Sequence, residues 1–360
     1  MKIAIVSPTG LGGVPIITSK LTQALKDEGF QTDLVKIRGG VINSFNDDLK
    51  IIRKLNAFEV ILYMGSVARM SSILLRKKFI GLFIHGFLLD EYRNAIIHNN
   101  ARTSLGALVE FTWWKMINMS TFKPNFYIFH SKTACKNNII CNGNCVILPQ
   151  FILSTEVNWF EKFSKRLRDI YSQKDKVFPI ILSYTSFANS PRLLSFTSLL
   201  YIARRLSFSL KRDVLFYIID PKIVKEEVYQ FDRVKVVVRG FMPRVEFLKL
   251  MAFSDLYIEP SIDEEIGFDS IEAGLFKIPI AKITHPQFIA LQDYSRDEVI
   301  VEKNLSLFVN ALYEYINNIE QYKDYYSKRY YNFLIKKRSW EIVKKPLLDK
   351  LNSLRSPSIT

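Results

Sequence analysis

The segment from Tyr257 to Pro279 carries the densest chemistry in the sequence. An apolar strand ends at Glu259-Pro260-Ser261; Asp263, Glu264, Glu265, Ile266, Gly267 and Phe268 follow, then Ser270, Ile271, Glu272 and Ala273. Glu264 and Glu272 are separated by seven residues, with Gly267 between them. If Gly267 and Phe268 open a helix, Glu264 lies in the loop before it and Glu272 on its second turn. Two carboxylates and backbone N–H groups then converge at the carboxyl end of a strand, where open α/β sheets bind ligands. Carboxylates accept from sugar hydroxyls and N–H groups donate to phosphates, so the mixture suits a sugar phosphate. The plainer alternative is an acidic helix start steadied by the helix dipole.

Three weaker constellations accompany it. Gly10, Gly12 and Gly13 occupy the turn after the first strand, where glycine lets the backbone approach an anion at a helix N-terminus. Their spacing is not G-x-G-x-x-G, which argues against a nicotinamide cofactor. His85-Gly86 follows another strand and places an imidazole where a ligand would be reached, or else a structural histidine. Cys135, Cys141, Cys145 and His130 lack any C-x2-C pair, so no metal site is expected; Cys141 and Cys145 flank an Asn-Gly-Asn turn and read as a thiol pair or a turn. Basic and aromatic residues cluster at Arg76-Lys77-Lys78, at Trp113-Trp114-Lys115 and in the tail from Tyr322 to Lys345. That combination suits a membrane interface or a nucleic-acid backbone, or is simply core aromatics beside a solvated basic face.

The elements that must position these residues alternate between strand and helix. Lys2 to Ser7, Thr32 to Ile37, Val60 to Met64, Phe79 to Ile84, Phe126 to Phe129 and Cys145 to Leu148 are short apolar strands, with a helix from Ile16 to Glu28 stopped by Gly29. The same grammar restarts after Val177, with strands at Phe178 to Tyr184, Val214 to Ile219, Val234 to Val238, Leu256 to Glu259 and Ile278 to Ile283. Helices are expected at Leu193 to Leu206 and Arg244 to Ala252. Strands apolar throughout and alternating with helices imply parallel sheets covered on both faces. The expected organisation is an N-terminal Rossmann-like domain over 1–150, a crossing over 151–176, a second Rossmann-like domain over 177–325 and a helical tail over 326–360. A cleft would separate the two domains.

Composition bounds the rest. The chain has 360 residues, 48% hydrophobic and 24% charged, which is globular. No stretch approaches the ~18 uncharged apolar residues of a membrane-spanning helix, and the run Ile3 to Val6 is too short for a signal peptide. Three cysteines make no disulfide framework, so a reducing, cytoplasmic setting is expected. Net charge is +15, unevenly spread: residues 1–150 carry 18 Lys and Arg against 9 Asp and Glu, and 321–360 carry 10 against 3. Such a surface favours anionic partners.

At these residues the chain resembles the retaining GT-B glycosyltransferases, in particular glycosyltransferase family 4. Pro260-Ser261, Glu264, Gly267, Glu272-Ala273 and Pro279 follow its E-x7-E signature in order and spacing. Gly12-Gly13, His85-Gly86, Ser131, the Gly240-Phe241-x-Pro243 segment and Ser339-Trp340-Glu341 are similar to further pieces of the pattern. The resemblance implies a metal-independent transfer of a sugar from a nucleotide diphosphate sugar, with no cofactor. Glu264 and His85 would contact the transferred sugar. Glu272 would hold the ribose, and Gly12, Gly13, Gly240, Ile266, Gly267 and Phe268 would line the donor site. The expected acceptor is a glycan or lipid-linked molecule handled by Arg76, Lys77, Lys78, Trp113 and Trp114, with peripheral contact to an acidic membrane; nucleic acid comes second. Departures stand beside these matches. Glu265 and Ile266 occupy the usual Gly-Phe, and Lys277 replaces a glycine. Ser183-Tyr184-Thr185 lacks the Gly-Arg that holds the diphosphate, leaving Arg192 as the nearby cation. A DNA-modifying sugar transferase and a non-catalytic binding subunit are the alternatives.

Overall fold

The structure, a computed structural model, describes residues 1–9, 13–37, 50–64, 75, 79–84, 124–132, 135, 144–170, 178–185, 194–260, 266–284 and 294–355. The chain divides into two compact units: Met1–Leu153 with Trp340–Thr360, and Ser154–Ser339.

In the first unit, β1 (Lys2–Pro8) leads into α1 (Gly13–Asp27), followed by β2 (Gln31–Ile37), β3 (Val60–Met64), β4 (Phe79–Ile84), β5 (Phe126–Phe129) and β6 (Cys145–Ile147). These strands form one parallel sheet in the order β2-β1-β3-β4-β5-β6. All five residues of β3 and all four of β5 are buried, as the unbroken apolar runs require. On α1, Ile17, Leu21 and Leu25 turn inward at helical spacing. Its last carbonyls are met by the N–H groups of Gly29 and Phe30. One cysteine expectation is corrected: Cys145 is joined in a disulfide to Cys135, not paired with Cys141, which lies outside the described residues. Cys145 opens β6 and Cys135 lies ten residues before it, a proximity that the Asn-Gly-Asn turn did not signal.

The second unit opens with α2 (Ser154–Ile170), then β7 (Ile180–Tyr184), α3 (Phe196–Ser207), β8 (Val214–Ile219), β9 (Glu227–Phe231) and β10 (Val234–Arg239). It continues with α4 (Arg244–Phe253), β11 (Leu256–Glu259), α5 (Phe268–Leu275), β12 (Ile280–Ile283), β13 (Ile300–Glu302), α6 (Leu305–Asn317) and α7 (Ile319–Arg338). The stretch 154–170, expected within a crossing, is thus helical and packs in this unit, Phe160 meeting Phe276 edge-on with centroids 4.8 Å apart. Strand order is β13-β12-β11-β7-β8-β10-β9, parallel except that β9 runs antiparallel to β10. The order reverses between β7 and β11, so a crevice opens beyond their carboxyl ends.

The two faces of β11 are used differently. Leu256 and Ile258 enter a core with Leu199, Ile202 and Leu206 of α3 and Phe308 and Leu312 of α6. Tyr257 and Glu259 face the other way, toward α5. α5 is held from behind by α7: the Tyr330 hydroxyl donates to the Ser270 carbonyl at 3.1 Å. A Cβ on Gly274 would collide with Leu334 and Tyr330, so only glycine permits this approach.

After α7 the chain enters the first unit as α8 (Trp340–Val343) and α9 (Lys345–Ser353). Trp340 packs tilted against Phe151, centroids 4.8 Å apart, and its backbone N–H donates to the Ile152 carbonyl. The Glu28 carboxylate accepts from Trp340 Nε1 at 3.0 Å and Lys344 Nζ at 2.8 Å. The return therefore begins at Trp340, whereas the expected tail began at 326; α7 up to Arg338 packs in the second unit. No helix among the described residues is long and apolar enough to cross a membrane.

Candidate active site

Four elements of the second unit end at one place: the carboxyl termini of β7 and β11 and the amino termini of α4 and α5. β11 ends in Glu259, which is 4% exposed and so needs partners. It takes them from the start of α5, where the Gly267 N–H donates to Glu259 Oε2 at 3.1 Å and Ser270 Oγ donates to the same oxygen. A Cβ at Gly267 would stand 2.8 Å from that oxygen and press on it. The Gly267 amide is thus engaged by this carboxylate. The α5 N-cap has no side-chain hydrogen bond.

On the outer side of α5, Glu272 sits on the second turn as its spacing predicts. Its Oε2 accepts from Arg244 Nη2, and Asp269, one turn earlier, accepts from Arg244 Nη1 at 3.3 Å. Arg244 is the first residue of α4, and its guanidinium also lies over the Phe247 ring, 5.5 Å from the centroid. Phe247 in turn meets Tyr184, at the end of β7, edge-on at 5.4 Å. Burial pushes the Asp269 carboxyl up, opposed by the Arg244 charge. Burial also raises the Tyr184 hydroxyl, and the charge of Asp269 adds to the effect. The Tyr257 hydroxyl is wholly buried without a hydrogen-bond partner among the described residues, and burial drives its pKa far up, so it stays protonated.

Of the residues singled out in the sequence, this end of the sheet gathers Gly267, Phe268 and Glu272. Ile266, just before α5, is buried, 3% exposed. Gly240 follows β10, where a Cβ would strike the Ile223 carbonyl. Gly13 begins α1 in the first unit, at the end of β1. Glu264, His85, Gly12, Arg192, Arg76, Lys77, Lys78, Trp113 and Trp114 lie outside the described residues. Sequence reasoning missed Glu259, Arg244 and Asp269 as a set. One signal was available: Arg244 follows Pro243 at a helix start, the end where a cation is disfavoured by the dipole and needs a compensating anion.

No protein-family model matches the chain, and no curated protein matches it. Solved structures do. Sucrose-phosphate synthase of Thermosynechococcus elongatus is similar with a TM-score of 0.68 at 13% identity, over 98% of each chain. Anabaena HepE in complex with UDP-glucose gives 0.67 at 12% identity, over 98% of this chain and 100% of that one. A glycosyltransferase from Rickettsia africae gives 0.67 at 14%, over 99% of both. The fold is GT-B. In a GT-B chain with two doubly wound units, the described carboxylates and helix starts lie at the switch point of the second sheet, a position at which open α/β sheets take ligands.

Proposed function

We propose that this protein is a glycosyltransferase that takes a sugar from a nucleotide diphosphate sugar and passes it, with retention, to an acceptor hydroxyl. The observation that carries the reading is the placement of Glu272 and the α5 amino terminus at the β7–β11 switch of a GT-B chain. Glu272, 20% exposed, presents a carboxylate suited to the two hydroxyls of a ribose. The first turn of α5 offers helix-start dipoles to an anion. Glu264 would take sugar hydroxyls and Arg192 would offset the diphosphate charge, both close in sequence to these elements. Retention asks the acceptor to attack on the face from which the diphosphate leaves, with no covalent nucleophile, no metal and no cofactor. The strongly basic 1–150 stretch favours an acidic-membrane-associated glycan or lipid-linked acceptor.

Calorimetry with UDP, GDP and ADP and their sugars tests the donor side. Binding of one nucleotide, weakened in Glu272→Ala, and donor turnover lost in Glu264→Ala are the expected results. No binding by any of them would leave a GT-B scaffold without transferase activity. Liposome and duplex binding across a salt series tests the acceptor side; duplex binding without affinity for acidic liposomes would reverse the preference.

A further inference from the structure

We propose that Arg244 is a positioning residue: its guanidinium fixes Glu272 in the orientation by which that carboxylate tells a ribonucleotide from its 2′-deoxy form. The inference rests on the reading of Glu272 as the ribose-binding group. Arg244 occupies the first position of α4, where the positive end of the helix dipole opposes a cation, so local helix stability does not account for it. Its two terminal nitrogens span from α4 to two carboxylates three residues apart on α5, Nη1 to Asp269 at 3.3 Å and Nη2 to Glu272. The planar fork is itself restrained by the Phe247 ring beneath it. Tyr184, with its hydroxyl protonated at neutral pH, meets the same Phe247 ring edge-on.

Three carboxylates, Glu259, Asp269 and Glu272, stand at a site read as receiving a diphosphate. Arg244 is the cation the described residues set against the outer two. The pair is half-open to water, the Arg244 side chain being 46% exposed, and ion pairs of that kind add little to folding stability. What it does achieve is order. A glutamate side chain loses substantial rotamer freedom when it must hold one pose for a ligand. Arg244 imposes that loss before the nucleotide arrives by engaging Oε2, which is preorganisation of the acceptor for ribose hydroxyls. Lysine supplies the charge but not the fork, so it does not substitute.

The test measures, by calorimetry, the affinity of wild type, Arg244→Gln and Arg244→Lys for UDP, GDP and ADP and for their 2′-deoxy counterparts. Wild type should bind its preferred ribonucleotide about tenfold more tightly than the deoxy form, the worth of one hydrogen bond to a charged group. In both variants that ratio should fall close to one while the melting temperature stays within about 3 °C. A ratio unchanged in the variants, or absent in wild type, overturns the inference and leaves the transferase reading standing. A drop in melting temperature well beyond that range in both variants, with ribo and deoxy affinities falling together, also overturns it, since Arg244 would then be a structural clip. Failure of wild type to bind any of the three diphosphates removes both.

Discussion

A methyl group at Gly267 would press on Glu259 Oε2 from 2.8 Å, against a carboxylate already engaged by an amide and a hydroxyl. Gly267→Ala should therefore shift the start of α5, lowering stability by about 1–3 kcal/mol and weakening nucleotide binding about tenfold or more, read by urea unfolding and calorimetry. Lys277 tests the opposite sign. It ends α5 with φ +60°, its N–H donating to the Gly274 carbonyl, so it stands where the left-handed region favours glycine. Its ammonium recovers a little by lying 5.1 Å from the Tyr331 ring centroid. Lys277→Gly should raise stability by about 0.5 kcal/mol, and Lys277→Ala should not, in the same unfolding measurement. Residues next to one another in sequence were the legible ones: the position of Glu272 on the second turn follows from local spacing, and the glycine expected at 277 from the family resemblance. Glu259, Arg244 and Asp269 gather because α4 and α5 both start beyond the carboxyl end of the sheet, although β10 and β11 are separated there by β8 and β7, and spacing along the chain does not encode that.

At the scale of elements, α5 depends on the seam it makes with α7. Gly274 leaves no space beneath Leu334 and Tyr330, and Gly274→Val should cost about 2–3 kcal/mol by forcing the helices apart. Tyr330→Phe removes only the hydrogen bond to the Ser270 carbonyl and should cost about 1 kcal/mol, so denaturation of the two variants separates packing from polar anchoring. Strand boundaries were readable in the mainly apolar runs: β3, β4, β5, β8 and β11 begin and end where expected. β9 escaped notice because Glu227–Phe231 is a largely exposed edge interrupted by Glu227 and Gln230, turned back toward β10 beside Asp232 at φ +33°. β13, three residues long, is too short to announce itself.

At the scale of the molecule, the two-unit grammar was legible because parallel sheets demand repeated apolar strands, and the disulfide was not because its partners sit on separate elements. The attachment of the C-terminal residues to the first unit makes a pH prediction. Donation from Lys344, helped by Trp340, holds the Glu28 carboxyl below its ordinary value of 4.5. An acid depressed in the folded state contributes stability above that ordinary value and loses it as pH falls through the lower folded one. Wild type should lose its advantage over Glu28→Gln between about pH 6 and about pH 3, measured as urea midpoints of the intact chain. Salt should shrink the difference, since the pair is partly exposed.

Because the first unit is assembled from Met1–Leu153 and Trp340–Thr360, it is interrupted in time as well as in sequence. A ribosome adding about 5–20 residues per second needs roughly 10–40 s to pass from Leu153 to Trp340. Throughout that interval Phe151, fully buried in the finished protein, awaits the indole that covers it, while the second unit emerges as one unbroken piece. The later-made unit is thus the first that can be completed, and nascent chains paused before Trp340 should be the ones that chaperones hold and proteases find.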